Sequence, residues 1–302
     1  MKRIVISAML CAALWPGAFG QTATIAGMGY LYPPVLVAPG QLITVFLAGN
    51  VDGDVGATVQ GISAPVLDVR PGSNCPAASP CSFLTAITIQ IPYELNPGCA
   101  LRNPECLAVL LTQLIVTVNG VAGAPLDLTP LGDRVHILTA CDTVVPGASG
   151  TAPQNSLPCQ PLVTHADGSL VTQGSPARGG EELVAYAVGL GFTTPSIPTG
   201  QAAATATPTA ETFALDFNFR PNALATEPLS FVAPNLFPAD LSVPLFSGLA
   251  PGYVGLYQVN FVVPPPPAGA LACSGLVQSN LTVSVGGQFS FDGAGICVTP
   301  PE

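Results

Sequence analysis

Apolar and polar residues alternate one by one in short runs, and proline or glycine closes nearly every run within a few residues. Ile87, Ile89 and Ile91 alternate with Thr88 and Gln90, and Leu215, Phe217 and Phe219 with Asp216 and Asn218. Val259, Phe261 and Val263 alternate with Gln258 and Asn260, and Leu281, Val283 and Val285 with Thr282 and Ser284. A period of two gives a strand one apolar and one polar face. Long helices need a different period and do not tolerate 33 Pro and 32 Gly among 302 residues. Turn signals (Asp52-Gly53, Asn119-Gly120, Asp167-Gly168, Pro251-Gly252) separate the runs. This pattern predicts an all-β chain built from antiparallel sandwiches. Disorder is excluded, because hydrophobic residues make up 49% of the chain and charged ones only 8%.

The N-terminus reads as an export signal. Lys2 and Arg3 precede an uncharged apolar stretch over residues 4–15, and Ala18-Phe19-Gly20 offers small residues at a cleavage site before Gln21. A membrane anchor needs roughly 20 apolar residues, and Pro16-Gly17 ends this run too early. No later segment is long and apolar enough to span a membrane, so the mature protein is expected to be secreted, extracellular or periplasmic. Loss of Lys2 and Arg3 takes the net charge from −10 to −12. An acidic chain with no lysine left carries no footprint for nucleic acid or anionic lipid.

Cleavage also removes Cys11 and leaves eight cysteines: Cys75, Cys81, Cys99, Cys106, Cys141, Cys159, Cys273 and Cys297. An even count in an exported chain indicates a disulfide framework. Zinc fits poorly, since the spacings are not CxxC and the chain has only two histidines. The short Pro-rich connections around 75/81 and 99/106 favour local closure. Neighbour pairing then predicts Cys75–Cys81, Cys99–Cys106, Cys141–Cys159 and Cys273–Cys297.

Three stretches recur in the same order in the two halves. Residues 39–45 match 178–184, residues 90–92 match 258–264, and residues 115–120 match 281–286. The expectation is two tandem immunoglobulin-like β-sandwiches, over 21–130 and 131–302, the second enlarged by an insertion near 205–248. The ordered blocks Ala38-Pro39-Gly40-Gln41-Leu42-Ile43, Gln90-Ile91-Pro92-Tyr93-Glu94-Leu95, Asp167-Gly168-Ser169-Leu170, Pro176-Ala177-Arg178-Gly179-Gly180-Glu181 and Gly189-Leu190-Gly191 carry a resemblance. They lead into Gly248-Leu249-Ala250-Pro251-Gly252-Tyr253-Val254-Gly255-Leu256-Tyr257-Gln258-Val259-Asn260. Together they resemble the uncharacterised, Solibacter-type domain family found at the C-termini of exported acidobacterial proteins. The opening Pro39-Gly40-Gln41-Leu42-Ile43-Thr44-Val45 is also similar to the first strand of IPT/TIG immunoglobulin-like domains. The resemblance implies tandem immunoglobulin-like modules, export, and no established activity. The added cysteines and the 205–248 segment depart from the family pattern.

Catalytic chemistry finds few parts. A nucleophilic hydrolase needs a base beside its nucleophile, and only His136 and His165 qualify. His136 falls in an alternating run, where a structural role is expected, and His165 precedes a turn as an exposed loop histidine. There is no G-x-S-x-G elbow; Gly147-Ala148-Ser149-Gly150 lacks the spacing. Glu181 and Glu182 are adjacent, so on a strand they point to opposite faces. Asn50, Asp52 and Asp54 are spaced as oxygen ligands, but Val55 and Gly61 stand where a calcium loop needs glycine and glutamate. No catalytic residue, metal or cofactor is therefore expected. The leading expectation is a binding or structural module of the cell envelope or matrix, with a protein or glycan partner. The alternatives are a carbohydrate-binding module using Tyr30/Tyr32 or Tyr253/Tyr257, and a hydrolase using His136 or His165. Tyr257 itself is expected to be buried at a structural corner, its hydroxyl bonded to nearby backbone.

Overall fold

The computed structural model describes residues 22–29, 31, 35–71, 83–95, 112–142, 159–228 and 242–301. The expected signal at 1–20, Tyr30, Tyr32, Cys75, Cys81, Cys99, Cys106 and the 147–150 stretch lie outside them. The described residues form strands and turns, with no helix.

The first sandwich contains β1 (Ile25–Met28), β2 (Leu36–Val37), β3 (Leu42–Ala48), β4 (Val55–Val59), β5 (Ile62–Ser63), β6 (Val66–Arg70), β7 (Leu84–Gln90), β8 (Thr112–Val118), β9 (Val121–Ala122) and β10 (Leu126–Pro130). One sheet runs β1-β3-β7-β6 and the other β2-β10-β8-β4-β5. In immunoglobulin lettering these are A-B-E-D packed on G-F-C. The short β2 adds to β10 in parallel, the one departure from antiparallel pairing among the described residues of this half.

The second sandwich contains β11 (His136–Ile137), β12 (Val163–Thr164), β13 (Glu182–Val188), β14 (Thr207–Pro208), β15 (Ala214–Asn218), β16 (Phe246–Leu249), β17 (Tyr257–Val262), β18 (Leu281–Gly286) and β19 (Phe291–Ile296). Its sheets run β11-β13-β17-β16-β14 and β15-β18-β19, again A-B-E-D on C-F-G. A single parallel bridge, Ala177 to Val298, repeats the contact that β2 makes with β10. The three repeated sequence stretches fall on equivalent strands: β3 and β13, β7 and β17, β8 and β18.

Local chemistry explains the strands. Asn119 and Gly120 both take positive φ, 50° and 76°, in the two-residue turn that pairs Val118 with Val121. Alternation puts Tyr257, Val259 and Phe261 in the core of the second sandwich and leaves Gln258 and Asn260 partly exposed. The chain leaves the sheet just before Pro264, which has no N–H to continue a ladder. β18 departs from one-sided burial, since all six residues are buried. Residues 223–226 cover its outer face: Thr282 Oγ1 donates to the Ala223 carbonyl, and the Thr226 N–H donates to Ser284 Oγ.

Candidate functional site

A buried polar site joins the two sandwiches. Pro251-Gly252 turns the chain with Gly252 at φ 81°, and the strand resumes at the fully buried Tyr257. Tyr257 donates its hydroxyl proton to the Gly191 carbonyl. Its oxygen lies 3.0 Å from the hydroxyl of Tyr93, which reaches across from the first sandwich and must therefore donate. Burial pushes the Tyr93 hydroxyl up to about 12 and that of Tyr257 well above its ordinary value, so both stay neutral. The corner role expected of Tyr257 is present. Its partner from the other half was not foreseen.

Further contacts close the joint. The Tyr93 N–H donates to Thr199 Oγ1 at 2.8 Å, and Thr199 donates to Glu94 Oε2 at 2.5 Å, which lowers the Glu94 carboxyl below its ordinary range. The Gly200 N–H donates to Gln90 Oε1 at 2.7 Å. Leu42 packs with Leu138, Val188, Leu162 and Leu256. A Cβ on Gly40 would stand 2.1 Å from the Tyr93 ring, so only glycine admits that ring. Just before β11, Asp133 accepts from the N–H groups of Gln288, Phe289 and Ser290 and from Ser290 Oγ. Burial raises its carboxyl against the pull of those four bonds.

Both histidines sit against acids. His136, on β11, places Nε2 3.1 Å from Asp142 Oδ2 and Nδ1 3.1 Å from Asp292 Oδ2. Burial alone would depress its pKa, but the two carboxylates prevail and lift it to about 9. His165 is partly buried rather than exposed, because Glu181 Oε1 lies 2.5 Å from its Nδ1. Its Nε2 lies 3.1 Å from the Ser175 carbonyl and 3.3 Å from Ser175 Oγ. Serine, imidazole and carboxylate thus meet in the order a triad requires, which residues 10 and 16 positions apart in an irregular loop do not announce. The protons are arranged otherwise. A carbonyl can only accept, so Nε2 carries a hydrogen, and Nδ1 donates to Glu181. The Glu181 bond chiefly raises the His165 pKa and favours this imidazolium. With both ring nitrogens donating, His165 has no lone pair left to take the Ser175 proton.

The remaining sequence candidates are structural. Glu181 also accepts the Arg178 N–H, closing a turn. The 50–54 segment belongs to a turn clasp: Asn119 Oδ1 accepts the Asp54 N–H, and Asn119 Nδ2 donates to the Asp52 carbonyl. No group of three metal-ligating side chains assembles among the described residues. Tyr253 is 61% exposed while Tyr257 is 0% exposed, so this pair offers no shared stacking platform. Disulfides join Cys141 to Cys159 and Cys273 to Cys297.

No protein-family model matches the chain, and no curated protein does. Among solved structures the chain is similar to the Escherichia coli adhesin FdeC, with 11% identity and a TM-score of 0.21 over 87% of this chain and 61% of that one. It is also similar to a β-glycosidase from Bacteroides vulgatus, with 10% identity and a TM-score of 0.20 over 91% and 24% of the two chains. A chimeric titin Z1Z2 tandem gives 10% identity and a TM-score of 0.17 over 92% and 99%. Likeness at this TM-score carries no functional argument.

Proposed function

We propose that this chain is an exported, non-catalytic binding or structural module, in which two immunoglobulin-like sandwiches act as one stiff unit toward a protein or glycan partner at the cell surface. The observation that carries this reading is the buried Tyr93–Tyr257 joint, which ties the halves through groups that would otherwise be costly to bury. A stiff tandem holds its loops and sheet edges at fixed spacing, which suits recognition and spacing rather than turnover. The disulfides and the signal-like N-terminus support an oxidising destination, and the resemblance of the 248–260 block to the Solibacter-type exported family agrees with it. The hydrolase reading draws on Ser175, His165 and Glu181, and the doubly donating imidazole argues against it. Protein and glycan arrays probed with residues 21–302 test the proposal, alongside ester, glycoside and peptide turnover assays. Retention on one ligand class without turnover is expected. Turnover abolished by His165→Ala would overturn it.

A further inference from the structure

We infer that the edge of β19 at Gly293–Gly295 is a binding site for an extended, uncharged peptide, which joins the second sandwich as an added strand. This rests on the binding-module reading and names its ligand class. Among the described residues no strand covers this stretch, for a topological reason. In the first sandwich the chain passes quickly from β1 to β2, and β2 covers the outer edge of β10. In the second, the chain pairs β11 with β13, and among the described residues it bridges the outer edge at Ala177–Val298, beyond the end of β19. Among the described residues β18 is the only strand paired with β19, and β11 packs across the start of β19, where the Ile137 N–H donates to Asp292 Oδ2.

The amide directions follow from three bonds. The Asn280 N–H donates to the Ile296 carbonyl, so Ile296 faces β18. The Ala177 N–H donates to the Cys297 carbonyl, so Cys297 faces away, and the Gly293 N–H likewise turns to its neighbour's Asp292 Oδ1. Successive residues of a strand turn their amides to opposite edges. Gly293 therefore presents its carbonyl, and Gly295 both its N–H and its carbonyl, away from β18. Both glycines are partly exposed and line a cleft of about 960 Å³.

The lining identifies the occupant. The lining includes Gln160, Thr172 and Gln173 near the Cys141–Cys159 bond, together with Asn222, Gln278 and Ser279. Among the described residues that line it no side chain is ionisable or aromatic, although the chain as a whole has a net charge of −10. A charged ligand would find no counter-ion there, and a sugar no ring to stack on. Unpaired strand amides flanked by neutral amides and hydroxyls suit main-chain recognition of an extended peptide.

The two glycines are poor sites to mutate, because a Cβ on Gly293 would lie 2.4 Å from Ala225 Cβ and one on Gly295 2.7 Å from Ser279 Oγ. Gly174, on the cleft wall, has room: a Cβ there meets only Thr172 Oγ1 at 3.9 Å. The test is selection of a phage-displayed random heptapeptide library on residues 21–302, followed by titration of the enriched peptides against 15N-labelled protein. Expected are uncharged, β-branched peptides that shift the Gly295 amide. Their affinity should fall more than about tenfold on N-methylation of alternate residues, which removes strand hydrogen bonds, and as much with Gly174→Trp at an unchanged melting temperature. No enriched heptapeptide, binding indifferent to N-methylation in both registers, or binding indifferent to Gly174→Trp would overturn the inference. So would a dimer abolished by Gly174→Trp, since the edge would then serve a second copy. Glycan or folded-protein binding without peptide binding would sink this inference alone, and failure on every array would sink the binding reading with it.

Discussion

Tyr257 is the residue on which most of the second sandwich's geometry converges. It fills the core beneath its own sheet, satisfies the Gly191 carbonyl, and accepts from Tyr93. Removing only its hydroxyl strands a buried acceptor and a buried donor, so Tyr257→Phe should cost about 1–3 kcal/mol. Tyr257→Ala adds a large cavity and should cost about 3–5 kcal/mol. Urea melts of both variants check this, and an unshifted Tyr257→Ala midpoint would contradict the structural role. His136 makes a pH-dependent contribution. Its folded pKa, about 9, lies above the ordinary 6.5, so the stabilisation is complete below pH 6.5 and is lost as pH rises through 9. The loss should be on the order of 3 kcal/mol. Urea midpoints at pH 6 and pH 9.5 should differ in the native chain and much less in His136→Asn. The residue scale was partly legible in the sequence. Burial of Tyr257 follows from its place in an alternating run, whereas Tyr93 lies 164 positions away and no local pattern pairs the two.

At the scale of elements, alternation and turn residues carried the information. Ile87, Ile89 and Ile91 mark β7 and its exit, and Asn119-Gly120 marks a two-residue hairpin because both positions need positive φ. Alternation misses what covers an outer face, as at β18, where Thr282 and Ser284 are buried by bonds to residues 223–226. It also misses which edge stays uncovered, since that depends on where the chain rejoins the sheet, at the Ala177–Val298 bridge. The turn between β18 and β19 hangs on Asp133, which accepts from three consecutive N–H groups. Asp133→Ala leaves those donors without their acceptor and should cost about 2–4 kcal/mol. Amide exchange should then accelerate selectively at residues 288–290; uniform protection would contradict the clasp. The Cys273–Cys297 bond staples the segment before β18 to the end of β19. Replacing both cysteines with serine should lower stability by about 2–4 kcal/mol, read as a lower urea midpoint.

At the scale of the whole molecule, the proposed function requires two copies of one topology to behave as a single body. Each half has its own apolar core, one centred on Ile43, Ile87, Ile89 and Leu114, the other on Leu183, Val259, Phe261 and Val283. Separate cores permit separate unfolding, and only the joint opposes it. The sequence disclosed the duplication through order alone, with 39–45, 90–92 and 115–120 repeated at equivalent strands, but it did not disclose the joint. Differential scanning calorimetry of residues 21–302 tests the claim most directly. A stiff, coupled tandem predicts one transition whose calorimetric and van't Hoff enthalpies agree, with Tyr93→Ala splitting it into two. Two resolved transitions in the unaltered chain would contradict it.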